Sequence, residues 1–195
     1  MKRLNSRLVA ALEIPSHGSS VIRAVGQAIE EVRGRPVRLR AVAFPPGVAS
    51  GLWVNRTTDD IIAYEMHTDL EHQLVIIGHE VWHMFEDHCG PLTAHGPVTS
   101  RAQAAKAAHV AQEIVTSIPD TDFSGMPQPQ QTDATLHVSL RADATAARQE
   151  EQAESFGIRF ATHVQATLAE ARSSASVEDL AGRIQASMTH RTRRS

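Results

Sequence analysis

With one cysteine, Cys89, the chain cannot form an internal disulfide, and this usage fits a reducing, cytoplasmic compartment. Aromatic residues make up only 4% of the 195, with a single tyrosine, so the core has to be built mainly from Ala, Val, Leu and Ile. No apolar run approaches the roughly 20 residues a membrane helix needs, which excludes a membrane span. The opening stretch "MKRLNSRLVAALEIPSHG" begins basic, but Glu13 and Pro15 break its apolar piece, so no leader is expected. A strong charge of either sign is missing too. The formal net charge of −3 excludes the broad basic field of a nucleic-acid binder, and the basic end "HRTRRS" reads as a solvated tail. Neither Lys2 nor Lys106 lies in a Gly-rich loop, so P-loop phosphate chemistry is excluded.

What remains, 42% apolar and 21% charged residues, is the balance of a soluble globular chain. One domain over 1–195 is expected, with a core about 19–172, and no internal repeats are found. Val21, Ile22, Val25, Ile29 and Val32 form one helical stripe, capped by Ser19 or Ser20 and ended by Gly34 and Pro36. In "VRLRAVAF" the apolar Val37, Leu39 and Ala41 alternate with Arg38 and Arg40, the period of a half-buried strand. "GLWVN" and "DIIAYEM" follow across the turn "RTTDD", and the three read as an antiparallel meander whose first turn is "PPGVASG". A helix from about Asp69 to about Asp87 comes next, capped by Thr68 or Asp69 and stopped by Gly90-Pro91. An Ala-rich helix ends at Pro119, and 119–133, rich in Pro and Gln, is a long loop. "DATAARQEEQAESFGIRFATHVQATLAEARSS" is strongly helical, and Ser176 caps a last short helix within the C-terminal segment 176–195. The order gives an α+β class, with helices on one face of a small three-stranded sheet.

The chemistry concentrates in "VIIGHEVWHMFEDH". His79, Glu80 and His83 satisfy H-E-x-x-H inside a predicted helix, the context that motif requires. Residues four apart lie about one turn apart on one face, so two imidazoles can reach one Zn²⁺ at about 2.0–2.1 Å. Glu80 falls roughly 100° round the helix, beside the metal rather than on it, where it can act as general base. Such a site needs a third protein ligand. "RQEEQAESF" offers Glu150, Glu151 and Glu154, and Glu113 is a further candidate. With Glu150 as ligand, Glu154 lies one turn on, able to hydrogen-bond a metal-bound histidine. His88, five residues past His83, points to a different face and suits a supporting or helix-end role. His72 shares the His79 face but lies two turns away, too far for the same ion. Tyr64 ends the last strand before the site helix, placed either to reach an oxyanion or to sit in the core. Cys89 reads as a packing residue.

"YEMHTDLEHQLVIIGHEVWHMFEDH" followed by "EEQAESFGIRFA" resembles the ImmA/IrrE metallopeptidase family, especially short actinobacterial members labelled as toxin components. That family pairs an H-E-L-G-H helix, carrying a further His nine residues after the first, with a later E-x-x-A segment. His79, Glu80, His83 and His88 match the first block, and Glu150, Ala153, Glu154 and Phe156 the second, over roughly 35–161. The resemblance implies a minimal gluzincin-like zincin fold in which His79, His83 and Glu150 bind Zn²⁺ and Glu80 is the base. It further implies a peptidase acting on a protein, a helix-turn-helix repressor above all, without direct nucleic-acid contact, and a toxin-like half of a toxin–antitoxin pair. The alternative is a module of the same fold that controls a DNA-binding partner by binding alone. Trp82 stands where the family has Gly, narrowing the cleft or packing on the sheet, and Gly157 replaces an Ala.

Overall fold

The structure, a computed structural model, describes residues 1–14, 21–44, 50–88, 135–137 and 144–192. The caps Ser19 and Ser20, most of the first turn, Cys89, Gly90-Pro91, the Ala-rich helix with Glu113, the 119–133 loop and the last three residues lie outside them.

In chain order the elements are α1 (Lys2–Ala10), α2 (Val21–Arg33), β1 (Val37–Val42), β2 (Gly51–Asn55), β3 (Asp60–Glu65), α3 (Leu70–Phe85), β4 (Thr135–His137) and α4 (Ala144–Thr192). This is an α+β arrangement. The three strands expected over 37–65 form, but as a mixed sheet rather than an antiparallel meander. The order is β1-β3-β2-β4, with β1 parallel to β3 and β2 antiparallel to both β3 and β4. Strand polarity explains the difference. Ile61, Ile62 and Ala63 of β3 are all fully buried, and a continuous apolar run belongs in an inner lane. β1 carries Arg38 and Arg40, side chains suited to an edge. The tight β2–β3 hairpin is closed by Arg56 N–H on Asp59 O at 3.0 Å and by the Arg56 guanidinium gripping the Asp59 carboxylate at 2.7 and 2.6 Å. This leaves β1 the other side of β3.

Both sheet faces are buried, not one. Val37, Trp53, Ile62 and Tyr64 join the core with the helices, while Leu52, Val54, Ile61 and Ala63 are buried on the opposite face. The core also starts earlier than expected: Leu8 of α1 and Leu12 just after it belong to it, and Asn5 hydrogen-bonds His163 of α4. Gly34, at φ +75°, takes the left-handed turn that ends α2.

Nor does the C-terminal region split at Ser176; α4 runs unbroken through it. Ser173 and Ser174 donate to the carbonyls of Ala169 and Glu170, both at 3.0 Å, so these hydroxyls are used inside the helix instead of capping a new one.

At the end of the sheet nearest α2, Asp60 is fully buried and receives Trp53 Nε1–H at 3.0 Å, Arg33 Nε at 3.0 Å and Arg35 Nε at 3.4 Å. Arg33 also donates to Met84 O at the end of α3, tying three elements together. Removing one partner of a buried charged network leaves the others uncompensated. Because both arginines keep some solvent, Asp60→Ala is expected to destabilise by about 2–3 kcal/mol in urea unfolding, below the ~3–5 kcal/mol of a fully buried pair.

Candidate metal centre

α3 begins where the sequence indicates. The Asp69 side chain accepts from His72 N–H at 2.8 Å and Glu71 lies in the first turn, both favourable at a helix N-terminus. Along α3, His79 and His83 turn towards α4, while Glu80 turns towards the start of β2.

α4 brings the third group. Its buried residues Ala153, Phe156, Phe160, Val164 and Leu168 are spaced three or four apart, the stripe that docks it on α3. Counting three residues back from Ala153 gives Glu150, so the stripe that supplies packing ends in a carboxylate aimed at α3. Glu151 lies about 100° away and is exposed. Two contacts fix the docking. Trp82 stacks against Phe156 with ring centres 5.1 Å apart, so the indole packs on α4 rather than on the sheet. Its Nε1 is buried without a hydrogen-bond partner among the described residues. At the crossing the backbones nearly touch: a Cβ on Gly157 would lie 2.5 Å from Val75 O and 3.1 Å from His79 N, and one on Gly78 would lie 2.9 Å from Gly157 Cα.

Three ligand atoms converge there. His79 Nε2 and His83 Nε2 are 3.1 Å apart, His79 Nε2 is 3.3 Å from one Glu150 oxygen, and His83 Nε2 is 3.5 Å from the other. Ligands held about 2.0–2.1 Å from a tetrahedral ion stand roughly 3.3–3.4 Å from one another, so these separations, with each histidine facing its own Glu150 oxygen, are close to those around one ion. The donor set also fits. Two imidazole nitrogens facing each other cannot both donate, yet both can offer lone pairs to a cation, and the carboxylate supplies negative charge. His79, His83 and Glu150 could therefore hold a metal ion.

The surroundings tune the three groups differently. Burial depresses the His83 pKa, and the neighbouring imidazoles of His79 and His88 add to this against the pull of Glu150, so His83 favours the neutral, ligating form. Burial acts the same way on His79, but the hydrogen bond to Glu150 and the charges of Glu80, Glu150 and Glu154 outweigh it and raise its pKa. The two differ because three carboxylates act on His79, whereas His83 has Glu150 opposed by the imidazoles of His79 and His88.

Glu80 is buried between α3 and β2. Desolvation pushes its carboxyl up to about 7, opposed by His79 and by the Trp53 backbone amide. Gly51 makes the space: a Cβ there would lie 2.7 Å from Glu80 Oε1. Glu80 Oε2 is buried without a hydrogen-bond partner among the described residues. An ionisable group titrating near neutrality beside a possible metal site is suited to proton transfer.

The remaining sequence candidates separate. His88 reaches the site after all, with Nδ1 3.2 Å from His83 Nδ1. Glu154 is exposed and acts on His79 through its charge, with no hydrogen bond to it among the described contacts. Tyr64 lies in the hydrophobic core, where burial raises its pKa. His72 takes part at the helix start through its backbone N–H. Among the described residues no helix is long and apolar enough to cross a membrane. No protein-family model, curated protein or solved structure matches the chain, so its own residues carry the functional argument.

Proposed function

We propose that the chain is a zinc-dependent peptidase of minimal zincin type, with His79, His83 and Glu150 as ligands and Glu80 as general base. One observation carries the reading: the two Nε2 atoms lie 3.1 Å apart and 3.3 and 3.5 Å from the two oxygens of Glu150, with a buried Glu80 oxygen, unpartnered among the described residues, on the same helix as the histidines. Two imidazoles and a carboxylate leave a tetrahedral position open, as a catalytic rather than structural zinc requires. When bound, Zn²⁺ supplies Lewis-acid polarisation of a carbonyl and makes a water acidic enough to attack near neutral pH.

The protein's own groups do the rest. Glu80 Oε2 takes the proton of the attacking water and returns it to the leaving amine, and a pKa near 7 lets one group do both. The Trp53 backbone amide steadies the carboxylate and Gly51 gives it room. Glu150, about a third exposed, and His79 lie at the open side, which gives a substrate its approach. The ImmA/IrrE resemblance supplies the substrate class, a helix-turn-helix repressor, and with it the toxin-like pairing, while the single cysteine suits a cytoplasmic setting.

Glu80→Gln is isosteric, removes the base and leaves the three ligands in place. It is expected to bind about one zinc per chain, as wild type does, while cleavage of a co-expressed helix-turn-helix repressor falls by about 10²-fold or more. Repressor fragments accumulating at the wild-type rate would remove Glu80 from the base role. Intact repressor with both proteins, together with repressor binding, would favour control by binding alone.

A further inference from the structure

The end of α3 does more than stop the helix. Glu86 leaves helical geometry at φ −88°, ψ 1°, and Asp87 then takes φ +52°, the left-handed region that few residues other than glycine adopt. His88 N–H donates to His83 O at 3.0 Å, the six-residue closure of a Schellman motif. Glycine is the usual residue at the left-handed position, and here it is an aspartate. The turn folds the chain back, so that the His88 ring meets the His83 ring edge-on, centres 5.3 Å apart and planes at 66°. The contact between them is Nδ1 to Nδ1 at 3.2 Å.

A hydrogen bond between two ring nitrogens needs one donor and one acceptor. The other nitrogen of His83, Nε2, faces His79 and Glu150. For Nε2 to offer a lone pair there, the ring proton of neutral His83 must sit on Nδ1, and it then points at His88. Histidines that bind metals usually donate this second N–H to a carboxylate, carbonyl or water. Here a second imidazole takes that place.

We propose that His88 is a positioning residue for the metal centre, accepting Nδ1–H from His83 and so fixing the tautomer and ring plane that aim His83 Nε2 at His79 and Glu150, with the left-handed Asp87 delivering it. The inference rests on the metal-site reading above, and its own claim concerns the His83 Nδ1–H, which is read apart from activity. The imidazole neutralises no ligand charge, and its delivery depends on a single backbone conformation.

The test uses the full chain and two readouts. Imidazole ¹H–¹⁵N spectra of the zinc-loaded protein are expected to show the His83 Nδ1–H hydrogen-bonded and slow to exchange in wild type, and fast to exchange in His88→Ala. Zinc affinity, by competition with a chromophoric chelator, is expected to fall about 10–100-fold in His88→Ala. Asp87→Val keeps both imidazoles but resists a positive φ, so it should show the same two defects, whereas Asp87→Gly should match wild type. Urea midpoints of the metal-free variants control for a merely structural turn. A zinc loss in His88→Ala that Asp87→Val does not share would overturn the proposal. A wild-type chain that binds no zinc would sink the metal reading and this proposal with it, whereas zinc-loaded wild type and His88→Ala with the same His83 Nδ1–H exchange would overturn this proposal alone.

Discussion

Replacing Gly157 with valine is expected to lower stability by about 2–3 kcal/mol and to weaken zinc binding at least tenfold, although the residue touches no ligand. Even the first added carbon would sit 2.5 Å from Val75 O and 3.1 Å from His79 N. Both are backbone atoms, so no rotamer change relieves the contact and the helices must part. A Cβ on Gly78 of the opposing helix would likewise lie 2.9 Å from Gly157 Cα, so α3 has no slack to give. Glu150 lies seven residues earlier on α4, roughly 10 Å along its axis, and moves with it. Its two oxygens stand 3.3 Å from His79 Nε2 and 3.5 Å from His83 Nε2, and a shift of about 1 Å would take the carboxylate out of coordinating range. Urea unfolding and chelator competition measure the two effects separately. A Gly157→Val chain with wild-type zinc affinity would mean that the crossing does not position Glu150.

That crossing also shows where sequence reading stops. Gly157 stands out as a departure from the family pattern, yet no local rule says that it faces Gly78, because the reason is a backbone contact between helices far apart in the chain. The third ligand was more legible. The stripe Ala153, Phe156, Phe160, Val164 and Leu168 is written in the sequence, and extending it back by three reaches Glu150 rather than Glu151. α3 was legible from its cap and its His spacing because both are local. The strands were legible as segments but not as a sheet, since pairing depends on burial across elements; the arginines of β1 were the available signal that it lies outside β3. The supporting, helix-end place of His88 was legible, but its direction was not. Projected on a continuing helix it points away from His83, and only the left-handed Asp87 brings it back. Ser176 suggested a break because a serine hydroxyl can cap a helix or bond back within one, as those of Ser173 and Ser174 do, and only the fold decides.

Removing a ligand should act through metal alone and leave a signature in thermal stability. An ion that binds the folded chain and not the unfolded one stabilises it by about 2.7 kcal/mol at 100 times its dissociation constant. For a domain of this size that corresponds to a rise of roughly 5–10 °C in Tm. Wild type is expected to show this rise with zinc, and His79→Ala, His83→Ala and Glu150→Gln to lose most of it, with affinity falling beyond the roughly 10–100-fold that loss of a supporting partner costs. Glu151→Gln is the control, since its side chain is exposed and off the docking stripe, and it should keep the full shift. The metal-free proteins should differ among themselves. His83 is fully buried, so truncating it leaves a cavity and lowers the apo Tm, whereas Glu150, about a third exposed, can lose its charge with little change. A zinc-induced rise that survives in both His79→Ala and Glu150→Gln would place the ion elsewhere on the chain. A rise lost in Glu151→Gln but kept in Glu150→Gln would transfer the third ligand to Glu151 and require α4 to be rotated by about 100° from the packing that Phe156 and Phe160 impose.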